Sequence, residues 1–217
     1  MLRPISRFEK MLAHARQHLP AAPNPGPSHP PDNKEAAQER LAIVLAAASI
    51  DDYFAQKFIN HVLPFLEKQQ GKGKGKNAAT ARVCAQGAKL SEQIDRRCPY
   101  LAPLTNSAGR VERPAAQGFI ALDRIFEPCG ITNLSQQAIQ AAVKTDPKIA
   151  AIRYPLEGLA MFMERRYQII HEGDFNARHE IKPINHNWLL KRLDLIAAFV
   201  KQADLIITAH LPARRRS

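Results

Sequence analysis

Apolar residues recur at steps of three and four along three long stretches of this chain, and that spacing restricts the fold to helices. In the last stretch Leu189, Leu193, Ile196, Val200, Ala203 and Ile207 fall on one face. Between Lys34 and Lys68 the same spacing joins Val44, Ala48, Ala55, Phe58, Val62 and Phe65, and Leu156, Leu159, Met163 and Ile170 repeat it from Pro155 to His171. Pro155 suits the first position of a helix, where its missing amide costs little. No run of alternating β-branched residues marks a strand, and no fixed-period repeat is present. The spacing therefore predicts an all-α bundle, with short helices over 4–18, 79–95, 114–127 and 133–144 covering its ends.

A chain of 217 residues buries one core without needing a second domain. Six prolines between Leu19 and Asn33 exclude regular structure there, so residues 1–33 read as an N-terminal arm or linker. The helical domain spans 34–212. Within it, 70–117 reads as a variable insertion that opens on a flexible Gly-Lys repeat carrying Lys72, Lys74 and Lys76. The Arg214, Arg215, Arg216 run makes 213–217 a basic tail.

Lys and Arg number 31 against 20 Asp and Glu, a net charge of +11. Such a surface attracts polyanions, and nucleic acid is the commonest polyanionic partner. A membrane is not expected, since no segment reaches the ~18 continuous apolar residues of a spanning helix. The first residues lack the apolar core of a signal peptide. Cys84, Cys98 and Cys129 are odd in number and lack metal-ligand spacing, which points to a reducing cytoplasm. No metal or cofactor is expected.

Two charged residues sit on the apolar stripes: Asp51 on the first long helix and Arg166 on the Pro155–His171 helix. Each is costly to bury alone, so a pairing of the two is expected. His171 follows Arg166 by five residues, which places the side chains roughly 140° apart around the helix. A second subunit is one way to complete a site from both. Their chemistry suits phosphodiester cleavage, because histidine passes protons near neutral pH and arginine offers fixed charge and several donors to a phosphate.

The surrounding residues narrow this further. Met163-Glu164-Arg165-Arg166-Tyr167-Gln168-Ile169-Ile170-His171-Glu172-Gly173-Asp174 resembles the signature helix of HEPN domains, particularly the RiboL-PSP-HEPN group. Ile181-Lys182-Pro183-Ile184 before a long amphipathic helix, and Ile50-Asp51-Asp52-Tyr53 in the first long helix, are similar to that group as well. The resemblance spans residues 38–69 and 118–210. It implies a HEPN-type helical bundle, a homodimer whose Arg-x4-His motifs meet across the interface, and RNA cleavage without metal by Arg166 and His171. Asp51 and Tyr167 support them, and Lys72, Lys74 and Lys76 add RNA contacts. Many such proteins act as toxins or anti-phage defence effectors, which implies an antitoxin or a defence-system partner. Others bind RNA or a protein without cleaving. Tyr167 stands where active relatives usually have Asn or Asp, so hydrogen bonding beside the arginine must differ.

The remaining polar residues read as surface. His14 and His18 share one face at metal-compatible spacing without a third ligand nearby. His179 and His186 flank Pro183 and are expected on the surface. Trp188 opens the last helix and is expected to anchor core or interface.

Overall fold

The stripe from Leu189 to Ile207 is the axis of the bundle: all six of its residues are buried. The structure, a computed structural model, describes residues 3–20, 33–62, 65, 122–123, 125–176 and 181–211. These residues form helices α1 (Pro4–Gln17), α2 (Asn33–Lys57), α3 (Leu134–Thr145), α4 (Pro147–Ala150), α5 (Pro155–His171) and α6 (His186–His210). A π turn, Phe58–Val62, continues α2, and a 3-10 turn, Glu127–Cys129, precedes α3. The described residues contain no strand, only an isolated antiparallel bridge between Phe175 and Ile181. The fold is all-α. No helix among the described residues is long and apolar enough to cross a membrane. The expected helix over 79–95 lies outside the described residues.

α6 packs against every other helix, and α2 lies across α1, α5 and α6. Phe8 and Leu12 of α1 are buried in the same core as Phe54 of α2 and Phe199 of α6. Thus residues 4–17, at the start of the arm expected from the sequence, belong to the packed body. Phe54 ties its parts together through tilted and edge contacts with Tyr53, Phe126 and Phe199, at ring-centroid distances of 4.9, 6.2 and 6.0 Å. Full burial of such side chains contributes on the order of 1.5–3 kcal/mol each.

Within α2 the buried face differs from the expected one, whereas Phe58 and Val62 in the π turn are buried as expected. Ile43, Ala46, Ala47, Ile50 and Phe54 fill the core, whereas Val44, Ala48, Asp51 and Ala55 are half-buried. The two stripes differ by one residue, about 100° of rotation. Because alanines occupy both, apolar spacing did not distinguish them. Asp51 consequently lies at the flank of the core face and not in its middle.

A polar network fixes α2 on α6. Tyr53 donates a hydrogen bond to Asp204 at 2.8 Å, and Lys57 pairs with the same carboxylate at 2.6 Å while donating to Thr208. Burial pushes the Tyr53 hydroxyl well above its ordinary range, with Asp204 adding to the shift. It stays protonated. Burial likewise pushes the Cys129 thiol up to about 11, which suits the small apolar role expected of it.

At the N-terminus of α6, His186 Nδ1 lies 3.1 Å from Oε1 of the buried Glu39. His186 is therefore not the surface residue expected, because Glu39 draws it into the α2–α6 contact. Burial raises the Glu39 carboxyl, and the His186 hydrogen bond and charge oppose that shift. The fold thus prefers the protonated acid, whose contribution is full below the unfolded value and falls as pH rises through the raised one. Glu39→Gln cannot ionise. Its urea midpoint should gain on that of the parent as pH rises above the ordinary glutamate range, and a difference independent of pH would refute the assignment.

Candidate active site

The site grows from the way α5 ends. Its first half is anchored by the buried Leu159, Phe162 and Met163, but from Glu164 onward the residues are half-buried and Ile170 and His171 are exposed. The last turns of α5 therefore carry the motif into solvent.

The turn after α5 is held by one carboxylate. Gln168 O accepts from the amides of both Glu172 and Asp174, at 2.9 and 3.2 Å, which closes the helix end. Gly173 and Asp174 then take positive φ, +70° and +60°. Gly173 is suited to this because a Cβ there would also meet the Phe175 ring at 2.8 Å. Asp174, 1 % exposed, receives Arg40 Nε at 2.8 Å and Arg165 Nη1 at 3.0 Å. Both arginines also donate to the carbonyl of Lys182, and the Lys182 amide donates to Asp174 O at 2.9 Å. α2, α5 and the approach to α6 are tied at one point.

Arg166 is different. Its Nε and Nη1 are buried without a hydrogen-bond acceptor, and none of the ion pairs among the described residues includes it. The expected Asp51–Arg166 bridge is absent from those pairs. The displaced face of α2 accounts for this, since it carries Asp51 to the flank. Four arginines among the described residues are half-buried, Arg40, Arg165, Arg166 and Arg192. The first two share Asp174, whereas neither Arg166 nor Arg192 enters an ion pair.

His171 lies on the outward side of α5, and the Tyr167 ring packs on it one turn back, at a centroid distance of 4.7 Å and an interplanar angle of 40°. Tyr167 thus supports the imidazole through ring contact. Arg166 and His171 stand five positions apart on α5, a step of roughly 140° around a regular helix. Ile170, just before His171, and the bridged pair Phe175 and Ile181 are exposed apolar residues, at 44 %, 47 % and 49 % exposure.

Lys72, Lys74, Lys76 and His179 lie outside the described residues. His14 and His18 meet, with Nε2 atoms 3.4 Å apart, but the described residues hold no group of three or more potential metal ligands. Sequence reading missed Arg192 and the roles of Arg40, Arg165 and Asp174. The Glu172-Gly173-Asp174 segment was the available signal for Asp174; nothing in the spacing pointed to Arg40. No family model, curated protein or solved structure matches the chain.

The unequal partnering of neighbouring arginines is testable. Arg165→Met should cost about 3 kcal/mol in urea unfolding, because it weakens a buried pair, whereas Arg166→Met should change stability by less than about 1 kcal/mol. A large loss for Arg166→Met would mean that the side chain is structural.

Proposed function

We propose that this chain is a metal-independent endoribonuclease of the HEPN type, in which Arg166 holds the scissile phosphate and His171 transfers protons. The observation that carries this reading is the Arg166 guanidinium, whose Nε and Nη1 are buried and given no acceptor. A buried charge without a counter-charge is costly, and a bound phosphate would supply one. On the same helix, His171 is exposed and braced by Tyr167.

In the proposed reaction the ribose 2′-oxygen bonds to phosphorus as its proton leaves, and the bond to the 5′-oxygen breaks as that oxygen gains a proton. The products are a 2′,3′-cyclic phosphate and a 5′-hydroxyl. Imidazole serves as base or acid near neutral pH, and the arginine fork spans two non-bridging oxygens as their charge redistributes. Nothing in this scheme requires a metal.

The divergence of Arg166 and His171 within one helix favours a homodimer in which the arginine of one protomer meets the histidine of its partner. Ile170, Phe175 and Ile181 are exposed apolar residues that such an interface could cover. The net charge of +11 favours RNA as substrate, with Lys72, Lys74 and Lys76 as added phosphate contacts. A cytoplasmic toxin or defence effector, restrained by an antitoxin or a defence-system partner, is the setting that the HEPN resemblance suggests. The second reading is a module that binds RNA or a protein without cleavage. The contact of Tyr167 with His171 favours it, because an aromatic ring on the imidazole covers part of the reacting group.

The purified protein should cut single-stranded RNA in the presence of a chelator and leave DNA intact. His171→Ala and Arg166→Ala should each abolish cleavage, the former with RNA binding retained. If the site is shared between protomers, mixing the two inactive variants should restore roughly a quarter of parent activity, because half the dimers are mixed and each carries one complete site of two. Cleavage by His171→Ala alone would refute the mechanism. RNA binding without cleavage by the parent would select the silent module.

A further inference from the structure

The second uncompensated arginine stands at the other end of α5. Arg192, on the second turn of α6, lies with its guanidinium carbon 5.6 Å from the centroid of the Trp188 ring, which itself stacks on Phe162 at 6.2 Å. Its other neighbour is Gly158 of α5. A Cβ at that position would collide with the guanidinium, so the absence of a side chain is what admits Arg192 there. The Nε of Arg192 is buried with no hydrogen-bond acceptor, and none of the ion pairs among the described residues includes it.

This held cation lines an open cavity of about 540 Å³ together with Lys191, Trp188, Asn185, Asn187 and Ile152. The volume lies within the ~300–1,000 Å³ of ordinary ligand sites. Two cations and two carboxamides line it, and no carboxylate does. It also sits at the start of a 25-residue helix, whose N-terminus adds partial positive charge. The Asn185 side chain caps that helix by accepting from Trp188 N at 2.8 Å.

We propose that this cavity is a binding site for a phosphate group, held by Arg192 and Lys191. The guanidinium is fixed between an aromatic ring and a glycine, so little side-chain freedom is lost when it engages an anion. Lys191 supplies a second charge, suiting a phosphate better than a single carboxylate, and Asn187 supplies a neutral donor beside it. The site does not depend on the nuclease reading. Gly158 and His171 lie thirteen residues apart on one helix, roughly 20 Å. The phosphate belongs either to a free nucleotide or to a nucleic-acid strand that reaches this far.

Trp188 is the only tryptophan in the sequence, so intrinsic fluorescence reports on this cavity. The parent protein is titrated with inorganic phosphate, adenosine 5′-monophosphate, adenosine, and an oligouridylate made uncleavable by 2′-O-methylation. A saturable change with a phosphate-bearing probe and none with adenosine is expected. Response to phosphate or the mononucleotide identifies a small ligand, whereas response to the oligomer alone identifies a strand. Arg192→Gln should weaken the responding probe about tenfold, the loss expected for a charge-assisted contact. Lys191→Gln should weaken it too, and its affinity decides the question if Arg192→Gln does not fold by circular dichroism. His171→Ala should leave this response intact, which separates the site from the proposed nuclease centre. No saturable response to any phosphate-bearing probe overturns the proposal, as does undiminished affinity in the folded Arg192→Gln protein.

Discussion

Asp174 fixes the end of α5 on which the candidate site depends. Its carboxylate is withdrawn from water and faces two guanidinium groups, one from α2 and one from α5, while its backbone carbonyl holds the chain on its way to α6. In such a place the attraction must outweigh the loss of hydration of three charges, and it does so only when each group is well met. Arg40 and Arg165 each add a bond to the Lys182 carbonyl, and Arg165 donates to Asp174 Oδ2, while Asp174 Oδ1 is met by charge without a hydrogen bond. The turn beyond His171 is thereby held without a large apolar contact, and the helix can end in solvent without fraying.

That arrangement separates two uses of arginine on adjacent positions. Arg165 serves architecture, whereas Arg166 keeps Nε and Nη1 buried without an acceptor among the described residues. Arg192 repeats the second pattern near the opposite end of the same helix. The general rule that buried polar groups are satisfied makes such exceptions informative, since a fold does not retain a desolvated charge for its own stability.

The bundle was legible because its central helix is unambiguous: every member of the Leu189–Ile207 stripe is buried, and both ends of α5 lie where Pro155 and the His171 turn place them. α2 was legible as a helix but not in its rotation. Ala42, Ala46, Ala47 and Ala48 give adjacent faces similar hydrophobicity, and only packing against α1, α5 and α6 decides between them. Of the site, Arg166, His171 and Tyr167 were visible as a local pattern. Arg40–Asp174 and Gly158–Arg192 were not, because those contacts join residues far apart in sequence and carry no periodic signal. His186 was misread for the same reason, its partner Glu39 lying on another helix.

The π turn at Phe58–Val62 has a bearing on how this chain tolerates changes of length. Phe54, Phe58 and Val62 are all buried, at strict steps of four. On an α-helix that series would creep around the axis by about 40° per step, and the wider turn cancels part of the creep. The backbone there accommodates one residue more than a regular helix would need. Deletion of a single residue at this place can be taken up by conversion of the wide turn to a regular one, leaving Ile43, Ile50 and Phe54 undisturbed in their packing.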